Sequence, residues 1–93
     1  MSKRDVILNA AIEEALIKGY ENITRDDIAE RAGVAAGTVN SHFKDMFHLR
    51  RAVMHCAIQN RHLDILAQGL SEGCDVAKSA PEELKREALE TFL

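Results

Sequence analysis

Thr38, Asn40, Ser41 and His42 are the residues of this chain best suited to making specific polar contacts. Two hydroxyls, an amide and an imidazole stand close together, interrupted by Val39 and closed by Phe43. On a helix, Val39 and Phe43 lie one turn apart and point into a core, which leaves the polar four on the outer face. Such side chains donate and accept hydrogen bonds. No nucleophile with a base and an orienting group accompanies them, so they point to recognition rather than catalysis. Lys44, Arg50 and Arg51 follow with only Asp45 against them, a local charge balance suited to phosphate. The plainer reading is a polar helix surface with no partner.

The element that must carry these residues is the stretch Ile23–Phe43. It reads as a capped helix, a glycine turn and a second short helix. That is a helix-turn-helix, whose usual work is to place its second helix in the major groove of DNA. Thr24 is the expected cap of the first helix, with Asp27 three residues on and Ile23 and Ile28 at the staple positions. Asp26 and Asp27 complement the positive helix end. Ile28, Ala29 and Ala32 supply its buried side, and Gly33 ends it. The second helix has Ala35 at its expected cap, which lacks a side-chain acceptor and forfeits about 1 kcal/mol against Ser or Asp. Either a phosphate oxygen or water then satisfies its first N–H groups. The rival to a helix-turn-helix is an ordinary α-hairpin within a bundle.

Other segments supply support. Ser2 caps an expected helix over Lys3–Lys18, with Ile7, Leu8, Ala11, Ile12, Ala15 and Leu16 on its apolar side and Glu13, Glu14 and Lys18 elsewhere. Gly19 is placed to end it in the left-handed region. A fourth helix is expected after Asp45, running to Ala67 over roughly 33 Å and forming the longest element. Leu49, Ala52, Val53, Cys56, Ala57 and Leu63 form its core stripe. A second flank of Phe47, Met54, Ile58 and Ile65 needs cover from a partner chain or from the C-terminal helix. Residues 68–78 read as a linker with a weak helical turn. Ser79-Ala80-Pro81-Glu82 reads as the capped start of a last helix over residues 80–92.

Chain-wide features set the class. One Pro and helical spacing of Leu, Ala, Ile, Glu, Lys and Arg predict an all-α protein of 93 residues, a small core that a partner chain would help stabilise. The formal charge of −3 is unhelpful to a DNA binder. It is uneven, however: residues 1–62 hold nine Lys/Arg against eight Asp/Glu, and residues 63–93 hold three against seven. Cys56 and Cys74 make no disulfide framework, and no apolar run suits a signal peptide or a membrane span, so the expected setting is cytoplasmic, at the nucleoid. His48, His55 and His62 recur every seven residues, but along one helix they stand about 10.5 Å apart and share no metal within a chain. They read as a solvated or interface stripe. No cofactor, metal centre or enzymatic activity is expected.

Ile7-Leu8-Asn9-Ala10-Ala11, Gly19-Tyr20, Thr24, Ile28-Ala29, Ala32-Gly33-Val34, Gly37-Thr38-Val39, His42-Phe43 and Leu49 together resemble the N-terminal DNA-binding domain of the tetracycline-repressor (TetR) family. The resemblance covers residues 4–55 in order and spacing. It implies a three-helix domain at 1–45, then a long connecting helix and a short C-terminal helix at 46–93 that serve dimerisation. It further implies a homodimer on a palindromic operator. The family's DNA contacts fall here on Thr24 and Arg25, on Ala35, Ala36, Gly37, Thr38, Asn40, Ser41 and His42, and on Lys44. Three departures stand out. A tyrosine is common where Asn40 stands. A phosphate-holding lysine is common where Met46 stands, a role that Lys44 would take over. Fewer than 40 residues follow the middle of the fourth helix, too few to wall a drug-sized pocket, so no small-molecule inducer is expected.

The expected function is that of a sequence-specific, dimeric transcriptional regulator of the repressor type, bound to double-stranded DNA. The alternative is a module of the same fold that acts by binding or heterodimerising with another protein.

Overall fold

The structure is a computed structural model that describes residues 2–91. Every regular element among them is helical. The chain divides into two compact units, Met1–Val53 and Met54–Leu93.

In the first unit, α1 (Lys3–Lys18) opens on Ser2, whose hydroxyl accepts from the Asp5 N–H at 3.2 Å. Ile7, Ala11 and Ala15 are fully buried along its inner face. Leu16 does not join them and is 46% exposed. The helix stops at Gly19, whose φ of 99° and ψ of 146° lie outside the left-handed helical region expected there, in a region that a Cβ would forbid. A 3₁₀ turn (Tyr20–Asn22) leads into α2 (Arg25–Ala32). Thr24 caps α2 through the Asp27 N–H at 3.2 Å. Gly33, at φ 73°, closes α2 with the Val34 N–H donating to the Ala29 carbonyl and its own N–H to the Glu30 carbonyl. That pair of bonds satisfies two of the helix's last carbonyls and sets up the sharp turn.

α3 (Ala36–Phe43) follows, and α2 packs on both α1 and α3. Val39 and Phe43 are buried, as the spacing predicts. Asp45 caps α4 (Met46–Gln59): its Oδ1 accepts from the His48 N–H at 2.9 Å. Leu49 and Val53 complete the first core with Ile23 and Ile28.

Glu14 departs from its expected place at the surface. It is buried, accepting from Arg31 Nε at 2.7 Å and lying 3.4 Å from Lys18 Nζ. Arg31 also reaches Glu13 at 3.1 Å, and Lys18 also bonds Asp27. These ion pairs tie α1 to α2. Lys18 and Arg31 are held above their ordinary pKa values chiefly by the bonds to Asp27 and Glu14, and Asp27 is held below its own chiefly by Lys18.

α4 is shorter than expected. It ends at Gln59 instead of Ala67, so α1 is the longest helix described. The cause is a stop that the sequence disguises. Arg61 takes the left-handed conformation at φ 57°, and the His62 N–H donates back to the Ala57 carbonyl at 2.8 Å. A glycine usually fills that position. Asn60 Nδ2 reinforces the stop by donating to the Cys56 carbonyl at 3.1 Å. Since His62 lies in this turn, the three histidines do not form one stripe along a helix.

The second unit contains α5 (Leu63–Ser71), α6 (Asp75–Lys78) and α7 (Glu82–Thr91). The expected linker is therefore mostly helix. Met54, Ala57, Ile65, Leu66, Val76, Ala77, Leu84 and Ala88 form its core. Met54 thus has its cover from the C-terminal helices, whereas Phe47 is 63% exposed. Gly69 permits close packing, because a Cβ there would run into the Met54 Cε. Ser79 does not cap the last helix. Its hydroxyl donates to the Val76 carbonyl at 2.6 Å and closes α6, and α7 begins two residues later than expected. Phe92, expected at its end, lies outside the described residues.

Candidate nucleic-acid interface

α3 is anchored by Val39 and Phe43 and turns the rest of its surface outward. Ala35, Gly37, Ser41 and His42 are exposed; Ala36, Thr38 and Asn40 are half-buried. No side chain caps the helix at Ala35. Its first-turn N–H groups therefore have no side-chain acceptor, as the sequence predicts. A Cβ on Gly37 would meet nothing within 4 Å. No contact within the chain requires glycine there, although glycine weakens a helix by roughly 0.5–1 kcal/mol relative to alanine. Ser41 donates its hydroxyl proton to the Gly37 carbonyl at 3.0 Å, which fixes its rotamer and leaves the oxygen's lone pairs to accept.

Lys44 follows α3 in an unusual backbone state. Its φ of 68° and ψ of −59° form a tight three-residue turn, with the Asp45 N–H donating to the Phe43 carbonyl at 2.7 Å. This γ-turn of positive φ is strained for a residue with a Cβ. It places Lys44 at the meeting of two shallow open depressions. One, about 320 Å³, is lined by Thr24, Arg25, Asp26, Asn40, Lys44, Asp45 and Met46. The other, about 600 Å³, is lined by Arg4, Asn40, Ser41, His42, Phe43, Lys44, His48 and Ala52.

The fold therefore brings Thr24, Arg25, Asn40 and Lys44 to one depression and Asn40, Ser41, His42 and Lys44 to its neighbour. Ala35 at the cap and Ala36, Gly37 and Thr38 in the N-terminal half of α3 line neither.

Arg50 does not add to the exposed charge as its position in the sequence suggests. Its Nη2 donates to the Ile23 carbonyl at 3.2 Å and its Nε is buried without a partner. The Arg50 carbonyl accepts from the Tyr20 hydroxyl at 3.3 Å. Arg50 acts as a strut between α4 and the loop before α2. Two other groups stand at the surface in its place. Arg4 lays its guanidinium over the Phe43 ring at 4.8 Å. His48 brings Nδ1 to 2.7 Å from Asp45 Oδ1. Asp45 is held below its ordinary pKa, first by the backbone N–H of His48 and then by its ring.

The tetR family of bacterial regulatory proteins matches residues 7–53, the span that builds α1 to the first half of α4. The chain belongs to the TetR family. The HTH-type transcriptional activator FasR of Mycolicibacterium smegmatis (strain ATCC 700084 / mc(2)155) is 32% identical over 90 residues. That alignment takes in 97% of this chain and 38% of the relative, so the chain spans well under half of the relative's length. No solved structure matches it. Among the described residues, no helix is long and apolar enough to cross a membrane, and no group of three His, Cys, Asp or Glu is placed to hold a metal.

Within this TetR-family domain, sequence reasoning passed over Arg4 and His48. Arg4 sits at the far end of the chain from α3, and only the packing of α1 brings it to Phe43. His48 read as part of a heptad-spaced row. The signal available was local: His48 stands three residues after Asp45, where a helix cap and a side-chain pair can form together.

Proposed function

We propose that this chain binds double-stranded DNA sequence-specifically as a homodimer and regulates transcription as a repressor. The observation that carries the reading is the outer face of α3. It combines short polar side chains, an uncapped N-terminus and a glycine that nothing within the chain requires. An α-helix of this width enters the major groove, and Gly37 lets its backbone come close to the DNA. Base edges are read by Thr38, Asn40, Ser41 and His42, with Asn40 suited to an adenine edge. Phosphates are held by Thr24, Arg25, Lys44 and the N–H groups after Ala35, with Ala36 in contact beside them.

Dimerisation fits the modest charge, since two weak half-site contacts gain by acting together. Repression requires only that the bound protein block a promoter. The relative FasR is named as an activator, so the sign of regulation is a separate measurement. A reporter with the bound site overlapping the promoter should lose expression when the protein is present.

Selection of bound sites from random DNA tests the central reading. A palindrome with half-sites in successive major grooves, about 34–36 Å apart, is the expected result. Thr38→Ala combined with Asn40→Ala should abolish preference for that site with the melting temperature unchanged. Binding no tighter than to random sequence at low salt would overturn the reading in favour of a protein-binding module.

A further inference from the structure

The larger depression beside α3 holds more positive and protonatable groups than a helix-turn-helix alone supplies. Arg4 arrives from α1, His42 from α3, Lys44 from the strained turn and His48 from α4. Arg4 is exposed, with its guanidinium face resting on the Phe43 ring. Stacking holds the plane while leaving the N–H edge available, the arrangement that suits a phosphate. His48 is fixed on three sides. Asp45 takes both its backbone N–H and its ring Nδ1, and the Phe47 ring meets it edge-on at 5.5 Å. An ionised Asp45 accepts from Nδ1–H, which leaves Nε2 as a bare acceptor in the neutral ring and as a donor once the ring is protonated.

The geometry points to a phosphodiester-binding subsite formed by Arg4 and the His48–Asp45 pair, outside the helix-turn-helix, whose grip on the DNA backbone is coupled to proton uptake. It rests on the DNA-binding reading above. Arg4 supplies a permanent charge. His48 supplies a donor that exists only in the protonated ring. The charged and titratable groups around it are Arg4, His42 and Lys44 in the depression, Asp45 bonded to its ring, and Arg51 over the Phe47 ring at 5.6 Å. A bound phosphate adds negative charge beside the ring and raises its affinity for a proton. A phosphate held by the protonated ring is held more tightly in acid, so DNA binding strengthens as pH falls. This subsite touches only backbone, so it changes affinity without changing the sequence read.

Binding of the full chain to its selected site and to random DNA, at pH 6 and pH 8 over a range of KCl concentrations, is the test. The wild type should bind more tightly at pH 6. Arg4→Ala should weaken both DNAs about tenfold and reduce the salt slope by about one, while Arg4→Lys keeps the slope. His48→Gln should lose much of the pH dependence and keep the sequence preference; His42→Gln should retain the part owed to His48. Thermal melts of each variant exclude unfolding. If the wild type binds no DNA, the function reading itself falls. If it binds, an unchanged salt slope in Arg4→Ala or an unchanged pH dependence in His48→Gln overturns the subsite alone.

Discussion

Two residues set stability against the proposed work. Gly37 occupies a helical position where a Cβ would meet nothing. Gly37→Ala should therefore raise stability by about 0.5–1 kcal/mol in a thermal melt. If the α3 backbone approaches DNA here, the same methyl should weaken operator binding. A variant that is both more stable and equally tight would show that no close approach occurs. Lys44 holds a positive φ at the edge of the same face. Lys44→Gly should relieve roughly 1 kcal/mol or more of backbone strain and remove the phosphate contact proposed for Lys44, raising the melting temperature while lowering affinity on every sequence. The polar character of this face was legible directly, because Val39 and Phe43 fix which side turns inward. The roles of Arg4 and Arg50 were not. Both depend on which distant backbone or ring each long side chain meets.

At the scale of elements, caps and interhelical contacts can be tested separately. Asp27 and Asp45 both have depressed pKa values in the fold, from Lys18 and from the His48 N–H respectively. A depressed carboxyl contributes stability above its unfolded value and loses it as pH falls through its folded value. The urea midpoint should hold steady from neutral pH down to about 5 and fall below about 4, with a smaller fall in Asp27→Asn. Lys18 shifts the opposite way, so its share is present below 10.5 and lost in stronger alkali. In the second unit, Gly69 and Met54 occupy interlocking space. Gly69→Ala should cost about 1–3 kcal/mol by overpacking, less the roughly 0.5–1 kcal/mol that alanine gains over glycine in a helix, and Met54→Ala about 2–5 kcal/mol by leaving a cavity. The double variant should cost less than the two together, because the added methyl enters the vacated space. Strict additivity in chemical denaturation would disprove that contact. Helix starts at Ser2, Thr24 and Asp45 were legible because caps are local chemistry. The end of α4 was missed because Arg61 stands where a glycine would have announced it.

Charge shapes the expectations for the whole molecule. Residues 63–93 carry the acidic excess, and the first 62 are nearly balanced. Little long-range attraction to DNA follows, so the proposed specific binding has to rest on short contacts and, in the proposed dimer, on pairing two copies. Inserting about 5 bp between the half-sites of a selected palindrome turns them to opposite faces of the duplex, since one turn is 10–10.5 bp. Binding should fall to the level of a single half-site. Unchanged binding in a gel shift would mean that each copy acts alone.

The all-α class, the helix-turn-helix, its glycine turn and the polar face of its second helix follow from the order of residues alone. These rest on helical period, on caps within three or four residues and on turn chemistry, all written in neighbouring positions. The packed fold buries Glu14 under Arg31, braces the Ile23 loop with Arg50 and brings Arg4 to Phe43. It also decided that the helix after Gln59 breaks and that a second set of helices covers Met54. Each of these joins residues far apart in the chain, or places a residue in a conformation its type does not favour. Packing energy settles such choices, and local sequence does not record it.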